Sequence, residues 1–223
     1  MPRICLSRPA WRSSVRVELW VQPAQTGTRP AAASATMQTA CSHSSSSSVA
    51  ASPVDPLPVA LYNVPGRTAV NLDPETVVRL AAAASNIQAI KEASGKAPQI
   101  AELVHTLPSG FKIFSGDDNM ALAAIGVGAH GLISVASNEI PAEVSRMVRA
   151  ALNNNWAEAR ELERIWGRLF DANFWESNPA PVKAVLAMMG RCSDHLRLPL
   201  VPPMAATRAR LERLAGELGL LKK

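Results

Sequence analysis

The feature that most constrains the fold is an alternation of short apolar runs and helical segments that starts near Leu57. The apolar runs cover residues 58–64, 87–91, 111–115 and 131–135. The helical segments between them cover residues 74–84, 97–107 and 119–125. This order is typical of parallel strands joined by helical crossovers. We therefore predict an α/β fold in which four strands form a parallel sheet with helices packed on it.

From Pro141 onward the pattern is helical throughout. The predicted helices cover residues 141–153, 156–173, 179–189 and 204–218. Trp156, Trp166 and Trp175 lie nine or ten residues apart, a spacing that suits a buried helical face or a subunit contact more than a ligand cage. The chain is thus divided into an α/β part at 57–140 and a helical part at 141–223.

Residues 1–56 have a different composition from the rest of the chain. They are rich in Ser, Ala, Arg, Thr and Pro, with a serine run from Ser42 to Ser48 interrupted only by His43. Such a segment cannot bury enough apolar surface to offset its ordering entropy, so we predict that it is disordered. Its arginines, serines and few acids also resemble an organelle transit peptide, which leaves a plastid location as the alternative to a cytoplasmic one. A third interpretation is that the segment is mistranslated or misassembled sequence.

Charge distribution, hydropathy and cysteine spacing exclude several classes of protein. The net charge of +5 comes mainly from arginines before Leu57, but these are scattered without helical spacing, so we predict no nucleic-acid partner. The longest uncharged apolar stretch, residues 120–136, is interrupted by glycines and is shorter than the roughly 20 residues of a membrane helix. Cys5, Cys41 and Cys192 lie far apart, which indicates neither a zinc site nor a disulfide framework.

Two motifs place reactive side chains at the ends of the first two predicted strands. Tyr62 and Arg67 lie in LYNVPGRT, and Lys91 lies in IKEA. A lysine at the mouth of an apolar strand layer loses hydration, which favours a neutral amine able to attack a ketone. Both motifs fall at the carboxyl edge of a parallel sheet. The pattern predicts a Schiff-base site in which Tyr62 moves protons and Arg67 binds a carboxylate.

The motifs YNVPGRT, IKEA, SGDD and HGLIS, in this order, resemble those of the dihydrodipicolinate synthase family, within the superfamily that includes N-acetylneuraminate lyase. The resemblance runs from Leu57 to Leu220 and includes the segment ESNPAPVK. It implies a class I aldolase that condenses pyruvate with aspartate semialdehyde in lysine biosynthesis, without a cofactor. Intact family members are expected to be homo-oligomers.

The resemblance also implies a role for five residues of this chain. Lys91 forms the imine with pyruvate, and Tyr62 relays protons. Arg67 binds the carboxylate of the aldehyde substrate, a task that suits a planar guanidinium. The backbone at Gly116 of SGDD and at Ile133 of HGLIS lines the pyruvate pocket.

Family members are eight-stranded barrels, whereas this sequence matches only the last four strands. The resemblance therefore implies an incomplete (β/α)8 TIM barrel at 57–140, followed by a helical domain at 141–223. The family's GTTGE loop, whose threonines complete the proton relay, has no counterpart in the sequence. We expect a truncated synthase with impaired activity. The alternatives are a related pyruvate-yielding sugar-acid lyase such as N-acetylneuraminate lyase, and a non-catalytic fragment that assembles with other chains.

Two adjacent acids in SGDD require an interpretation of their own. Asp117 and Asp118 have the chemistry of metal ligands, but carboxylates also satisfy the free amides at helix starts. We interpret them as the cap of the predicted helix at 119–125, and we predict no metal site.

Overall fold

The computed structural model describes residues 58–221 and shows a four-stranded sheet in which neighbouring strands are all parallel. The prediction of a disordered segment at residues 1–56 lies outside the described residues. The strands follow chain order across the sheet. They are β1 (Val59–Asn63), β2 (Ile87–Glu92), β3 (Lys112–Ser115) and β4 (Gly131–Leu132). The predicted alternation of strands and helices is confirmed, and the sheet is that of a partial TIM barrel.

Helices connect the strands and form the whole carboxyl-terminal part. The α-helices are α1 (Pro65–Thr68), α2 (Pro74–Ala83), α3 (Ala97–Thr106), α4 (Ala121–Gly126), α5 (Pro141–Leu152), α6 (Trp156–Ala172), α7 (Ala180–Met188) and α8 (Ala205–Glu217). Short 3-10 helices lie at Asp118–Met120 and Ala136–Asn138. A proline at the first turn of α2, α3 and α5 explains why these helices begin where they do, since its fixed φ suits a first turn.

Two elements differ from the sequence prediction. The fourth strand was expected at 131–135 but ends at Leu132, because the backbone amides of Val135 and Ala136 donate to the Asp118 carboxylate and the chain turns into a 3-10 helix. The short helix α1 follows directly on β1, where the sequence suggested no helix.

The two faces of the sheet have different environments. One face packs on α2 and α3 and forms an apolar core. Its members include Val59, Leu61, Ile90, Ile113, Val77, Leu80, Ile100 and Leu103. Alternate residues of each strand point to the opposite face. There Tyr62, Lys91 and Phe114 lie side by side in register and are only partly buried. We call this second surface the open face.

Two further apolar clusters involve the helices of the carboxyl-terminal part. One joins α4, α5 and α6 through side chains such as Leu122, Met147 and Phe170, and the other joins α7 and α8. Trp156 and Trp166 pack against the first of these clusters, which favours the buried-face interpretation of the tryptophan spacing. The division of the chain near residue 140 stays a prediction, because the first cluster takes side chains from both sides of it.

Candidate active site

Lys91 and Tyr62 are neighbours at the carboxyl ends of adjacent strands. Residue 62 of β1 pairs with residue 91 of β2 in the parallel register, so both side chains project from the open face. The Lys91 Nζ atom lies 4.2 Å from the centroid of the Tyr62 ring, which is cation-π distance. Sequence reasoning predicted that these residues share one edge of the sheet. The structure brings an amine and a phenol together there.

Gly116 lies directly after β3 and against the stem of Lys91. Its amide donates to the Glu92 carbonyl oxygen over 2.7 Å, which continues the ladder between β2 and β3. A Cβ atom at this position would lie 2.5 Å from the Ala93 Cβ and 3.1 Å from the Lys91 Cε. The absence of a side chain therefore leaves room for Ala93 and for the end of the Lys91 stem.

Ile133 continues the same edge beyond β4. Its amide donates to the Ser115 carbonyl oxygen over 2.9 Å. The four strand ends thus present Tyr62, Lys91, Gly116 and Ile133 in the order of the sheet.

Arg67 is held by the segment that precedes α7. It lies exposed in α1, five residues after Tyr62. Its Nη1 atom donates to Ser177 Oγ and its Nη2 atom to the Asn178 carbonyl oxygen, both over 3.1 Å. These bonds connect the YNVPGRT motif to the ESNPAPVK motif, although 110 residues separate them in the chain.

Asp117 is an acidic neighbour of Lys91. Burial raises the pKa of its carboxyl, the positive charge of Lys91 acts in the opposite direction, and Asp118 and Glu92 raise the pKa further. The carboxylate borders a cavity of about 360 Å³, which is also lined by Gly95, Asn119, Met120, Asp171 and Phe174. Asp117 occupies the N-cap position of the 3-10 helix Asp118–Met120 that leads into α4, but its side chain makes no cap hydrogen bond.

Asp118 caps a different helix from the one predicted. Its carboxylate accepts from the Ser134 hydroxyl and from the backbone amides of Val135 and Ala136, the latter two over 3.0 and 3.1 Å. These amides start the 3-10 helix Ala136–Asn138. Burial raises the pKa of Asp118, and these hydrogen bonds partly offset that rise. The carboxylate thus fixes the segment that follows Ile133.

A buried polar network lies on the helix-facing side of the same strand ends. The Asn63 Nδ2 atom donates to both Glu92 oxygens over 3.0 and 2.9 Å, and also to Asn71 Oδ1. Glu92 accepts further from Gln99 Nε2 over 2.9 Å and from the Ser94 amide over 2.7 Å. Sequence reasoning missed this network. The adjacency of Asn63 to Tyr62 and of Glu92 to Lys91 was the one available signal.

Two wider features of residues 58–221 complete the description. Within this range, no group of three or more His, Cys, Asp or Glu side chains is arranged to hold a metal ion. No helix in the same range has the length and apolar character needed to cross a bilayer.

The fold and the site together define a class of protein. Four parallel strands with outer helices and a helical carboxyl-terminal region form part of a (β/α)8 barrel, with a lysine and a tyrosine at adjacent strand ends. A sequence model of the Dihydrodipicolinate synthetase family matches residues 39–218. The chain belongs to this family.

Individual relatives agree with the family assignment. The 4-hydroxy-tetrahydrodipicolinate synthase of Acidobacterium capsulatum is 62% identical over 165 residues, which are 74% of this chain and 55% of that protein. The crystal structure of dihydrodipicolinate synthase from Thermotoga maritima matches with a TM-score of 0.72 and 40% identity, covering 74% of this chain and 57% of that chain. The chloride-inhibited enzyme from Acinetobacter baumannii, crystallised with pyruvate, matches with a TM-score of 0.71, 38% identity and the same coverage. This chain spans about half the length of these relatives.

Proposed function

We propose that this chain carries the Schiff-base site of a 4-hydroxy-tetrahydrodipicolinate synthase, a lyase that condenses pyruvate with aspartate semialdehyde. The observation that carries the proposal is the Lys91 amine, 4.2 Å from the ring centroid of Tyr62 at the carboxyl ends of β1 and β2. Active sites of TIM barrels lie at this edge of the sheet. The Acinetobacter baumannii relative that was crystallised with pyruvate supports the choice of first substrate.

The proposed reaction starts at the Lys91 amine. Its lone pair attacks the ketone carbon of pyruvate, and the ketone oxygen leaves as water, so that an imine forms. Loss of a methyl proton gives an enamine, whose carbon attacks the aldehyde of the second substrate. The substrate's own amino group then displaces Lys91 from the imine, which closes the ring and frees the lysine.

Four further residues take part in this proposal. Tyr62, as the neighbour of Lys91, moves protons to and from the reacting atoms. The backbone at Gly116 and Ile133 lines the space for pyruvate. Arg67 binds the carboxylate of aspartate semialdehyde, because a guanidinium offers two parallel N–H donors in one plane.

Borohydride trapping tests the imine. Reduction in the presence of pyruvate is expected to add a stable adduct to the peptide that contains Lys91, and Lys91→Arg is expected to abolish it. Lys112→Arg is the matched control, since Lys112 is an exposed lysine on the neighbouring strand β3. Equal labelling of several lysines, or no adduct on Lys91, would contradict the assignment.

The second substrate is tested through Arg67. We expect Arg67→Ala to leave pyruvate trapping at Lys91 intact and to weaken the binding of aspartate semialdehyde, measured by calorimetric titration, which needs no turnover. Ser177→Ala, which removes only one hydrogen-bond partner of Arg67, serves as the control. Cleavage of a sugar acid to pyruvate in place of this condensation would assign the site to the related lyases.

A further inference from the structure

Side-chain hydrogen bonds on the helix-facing side of the sheet connect the strand ends that carry Lys91 and Tyr62. Asn63 and Glu92 pair in the β1–β2 register one step after Tyr62 and Lys91. Successive side chains of a strand point to opposite faces, so this second pair lies on the helix-facing side. Both side chains are almost fully enclosed, with 2% of Asn63 and 1% of Glu92 exposed.

We propose that Asn63 and Glu92 are positioning residues that set the register of β1 against β2 and thereby hold Lys91 beside Tyr62. The inference rests on the proposed function only where it takes Lys91 and Tyr62 as catalytic residues. Neither Asn63 nor Glu92 is expected to touch the substrate.

The strands need such a device because their pairing is irregular at the start. The register shifts between Val59 and Ala60, so the first pairing of β1 with β2 does not determine the pairing at the other end. A slip of one residue would move a strand's side chains to the opposite face. Lys91 would then leave the open face and lose the tyrosine.

The chemistry of the pair resists such a slip. An enclosed carboxylate that loses its donors carries a large desolvation penalty. Glu92 accepts hydrogen bonds from Asn63 on β1, from Gln99 on α3 and from the backbone amide of Ser94, which follows β2. Moving β1 relative to β2 would remove the Asn63 donor from both carboxylate oxygens at once.

The carbonyl groups of the same residues carry the constraint to the next strand. The Asn63 carbonyl oxygen accepts from the Ala93 amide over 2.8 Å, and the Glu92 carbonyl oxygen accepts from the Gly116 amide over 2.7 Å. Gly116 packs against the Lys91 stem. The backbone of Asn63 and Glu92 is therefore hydrogen-bonded to the segments that directly follow β2 and β3.

The test exchanges the donor and the acceptor. Glu92→Gln places an amide opposite the Asn63 amide, whereas the double variant Asn63→Asp with Glu92→Gln restores one carboxylate facing one amide. Glu139→Gln is the control, because Glu139 is also a buried acidic side chain that accepts a hydrogen bond from an asparagine, Asn173, but it lies outside the sheet.

The readout uses the fact that Tyr62 is the only tyrosine of the chain. In protein with isotope-labelled tyrosine, nuclear Overhauser contacts from the ring to the Lys91 side chain report their proximity without any substrate. Pyruvate trapping at Lys91 is measured on the same samples, with folded fractions matched by circular dichroism.

We expect Glu92→Gln to lose the ring-to-lysine contact and to trap pyruvate at least about tenfold more slowly, as misplacement of reacting groups does. The double variant should recover both, and Glu139→Gln should keep both. Retention of the contact in Glu92→Gln would overturn the proposal. So would unfolding of both Glu92→Gln and the double variant, since the pair would then serve folding alone. Failure of the intact chain to trap pyruvate would count against the proposed function, while the contact measurement still decides the positioning role.

Discussion

At the scale of single residues, Glu139 is the most strongly perturbed acid that the structure describes. Only 1% of it is exposed, and it accepts from Asn173 Nδ2 over 2.7 Å. Burial raises its pKa to about 8, the bond from Asn173 opposes that rise, and Asp118 adds to it. Among the described residues, Glu139 Oε1 and Asn173 Oδ1 have no donor. A proton on the Glu139 carboxyl would turn one of these oxygens into a donor.

This raised pKa predicts how stability depends on pH. The folded protein holds the proton above the ordinary value of 4.5, at which the unfolded chain releases it. The contribution to stability is full below that value and is lost as pH rises through about 8. The loss has an upper bound of about 5 kcal/mol, since each pKa unit corresponds to about 1.4 kcal/mol.

Glu139→Gln checks this expectation, because the amide is neutral at every pH. The free energy of unfolding, measured by denaturant titration from pH 5 to pH 9, should fall less steeply for this variant than for the natural sequence. Glu212→Gln, an exposed position on α8, should leave the pH profile unchanged. Parallel profiles for Glu139→Gln and the natural sequence would show that Glu139 is ionised in the folded state.

Gly116 provides a second prediction at this scale. A methyl group there would meet Ala93 Cβ at 2.5 Å and Lys91 Cε at 3.1 Å, so Gly116→Ala should displace the lysine stem and cost roughly 1 to 3 kcal/mol as overpacking. Thermal unfolding and pyruvate trapping should both be impaired. Gly66→Ala is the control, since a Cβ at Gly66 has no neighbour within 4 Å. Equal behaviour of the two variants would refute the close contact.

The sequence allowed prediction of some site residues and not of others. Lys91 and Tyr62 could be placed at one edge because each ends an apolar run, and parallel strands share their carboxyl edge. The partners of Asp118 and Glu92 could not be found, because these carboxylates bind residues up to 18 and 29 positions away. Such contacts depend on tertiary packing, and local periodicity does not encode them.

At the scale of elements, the 3-10 helix Ala136–Asn138 owes its start to a side chain from another part of the chain. Asp118 accepts from the amides of Val135 and Ala136, two groups that β4 would have used had it continued. This explains why β4 is shorter than its apolar sequence indicates. β4 and α1 were the elements that the sequence predicted least well, whereas the helices α2, α3 and α5, which begin with a proline, were predicted within one residue at each end.

Removing this cap should destabilise the fold. Asp118→Ala leaves the amides of Val135 and Ala136 without their acceptor, and an unsatisfied enclosed donor costs about 1 to 3 kcal/mol. Denaturant titration should show this loss. Asp73→Ala should show much less, because Asp73 occupies the N-cap position of α2 without making a cap hydrogen bond. A similar loss in both variants would mean that the Asp118 bonds do not govern the stability of this segment.

At the scale of the whole molecule, the described residues form one wall of a barrel. β1 and β4 are the outer strands of the four-stranded sheet, and Tyr62, Lys91 and Phe114 are partly exposed on its open face. A closed barrel of this class has eight strands and fills its interior with side chains. The carboxyl-terminal part also exposes large apolar side chains to solvent, among them Leu198, Val201 and Met204.

This architecture leads to the expectation for activity. Lys91 and Tyr62 are neighbours on a partly exposed face of the described residues, so water reaches the proposed imine, and the sequence has no GTTGE motif to complete the relay that the family resemblance implies. Loss of a group from general acid–base catalysis costs a factor of about 100 to 10,000. We therefore expect the purified 223-residue chain to form the pyruvate imine slowly and to show little or no synthase turnover.

Steady-state assays with pyruvate and aspartate semialdehyde, on a product whose mass has been verified, are the direct measurement. Lys91→Arg sets the background rate, and a full-length relative such as the Acidobacterium capsulatum synthase sets the upper reference. A turnover on the order of 10 per second, ordinary for an enzyme, would show that one barrel wall is sufficient for the chemistry. In that case the open face would itself be the complete site, and the exclusion of water by further strands would not be required.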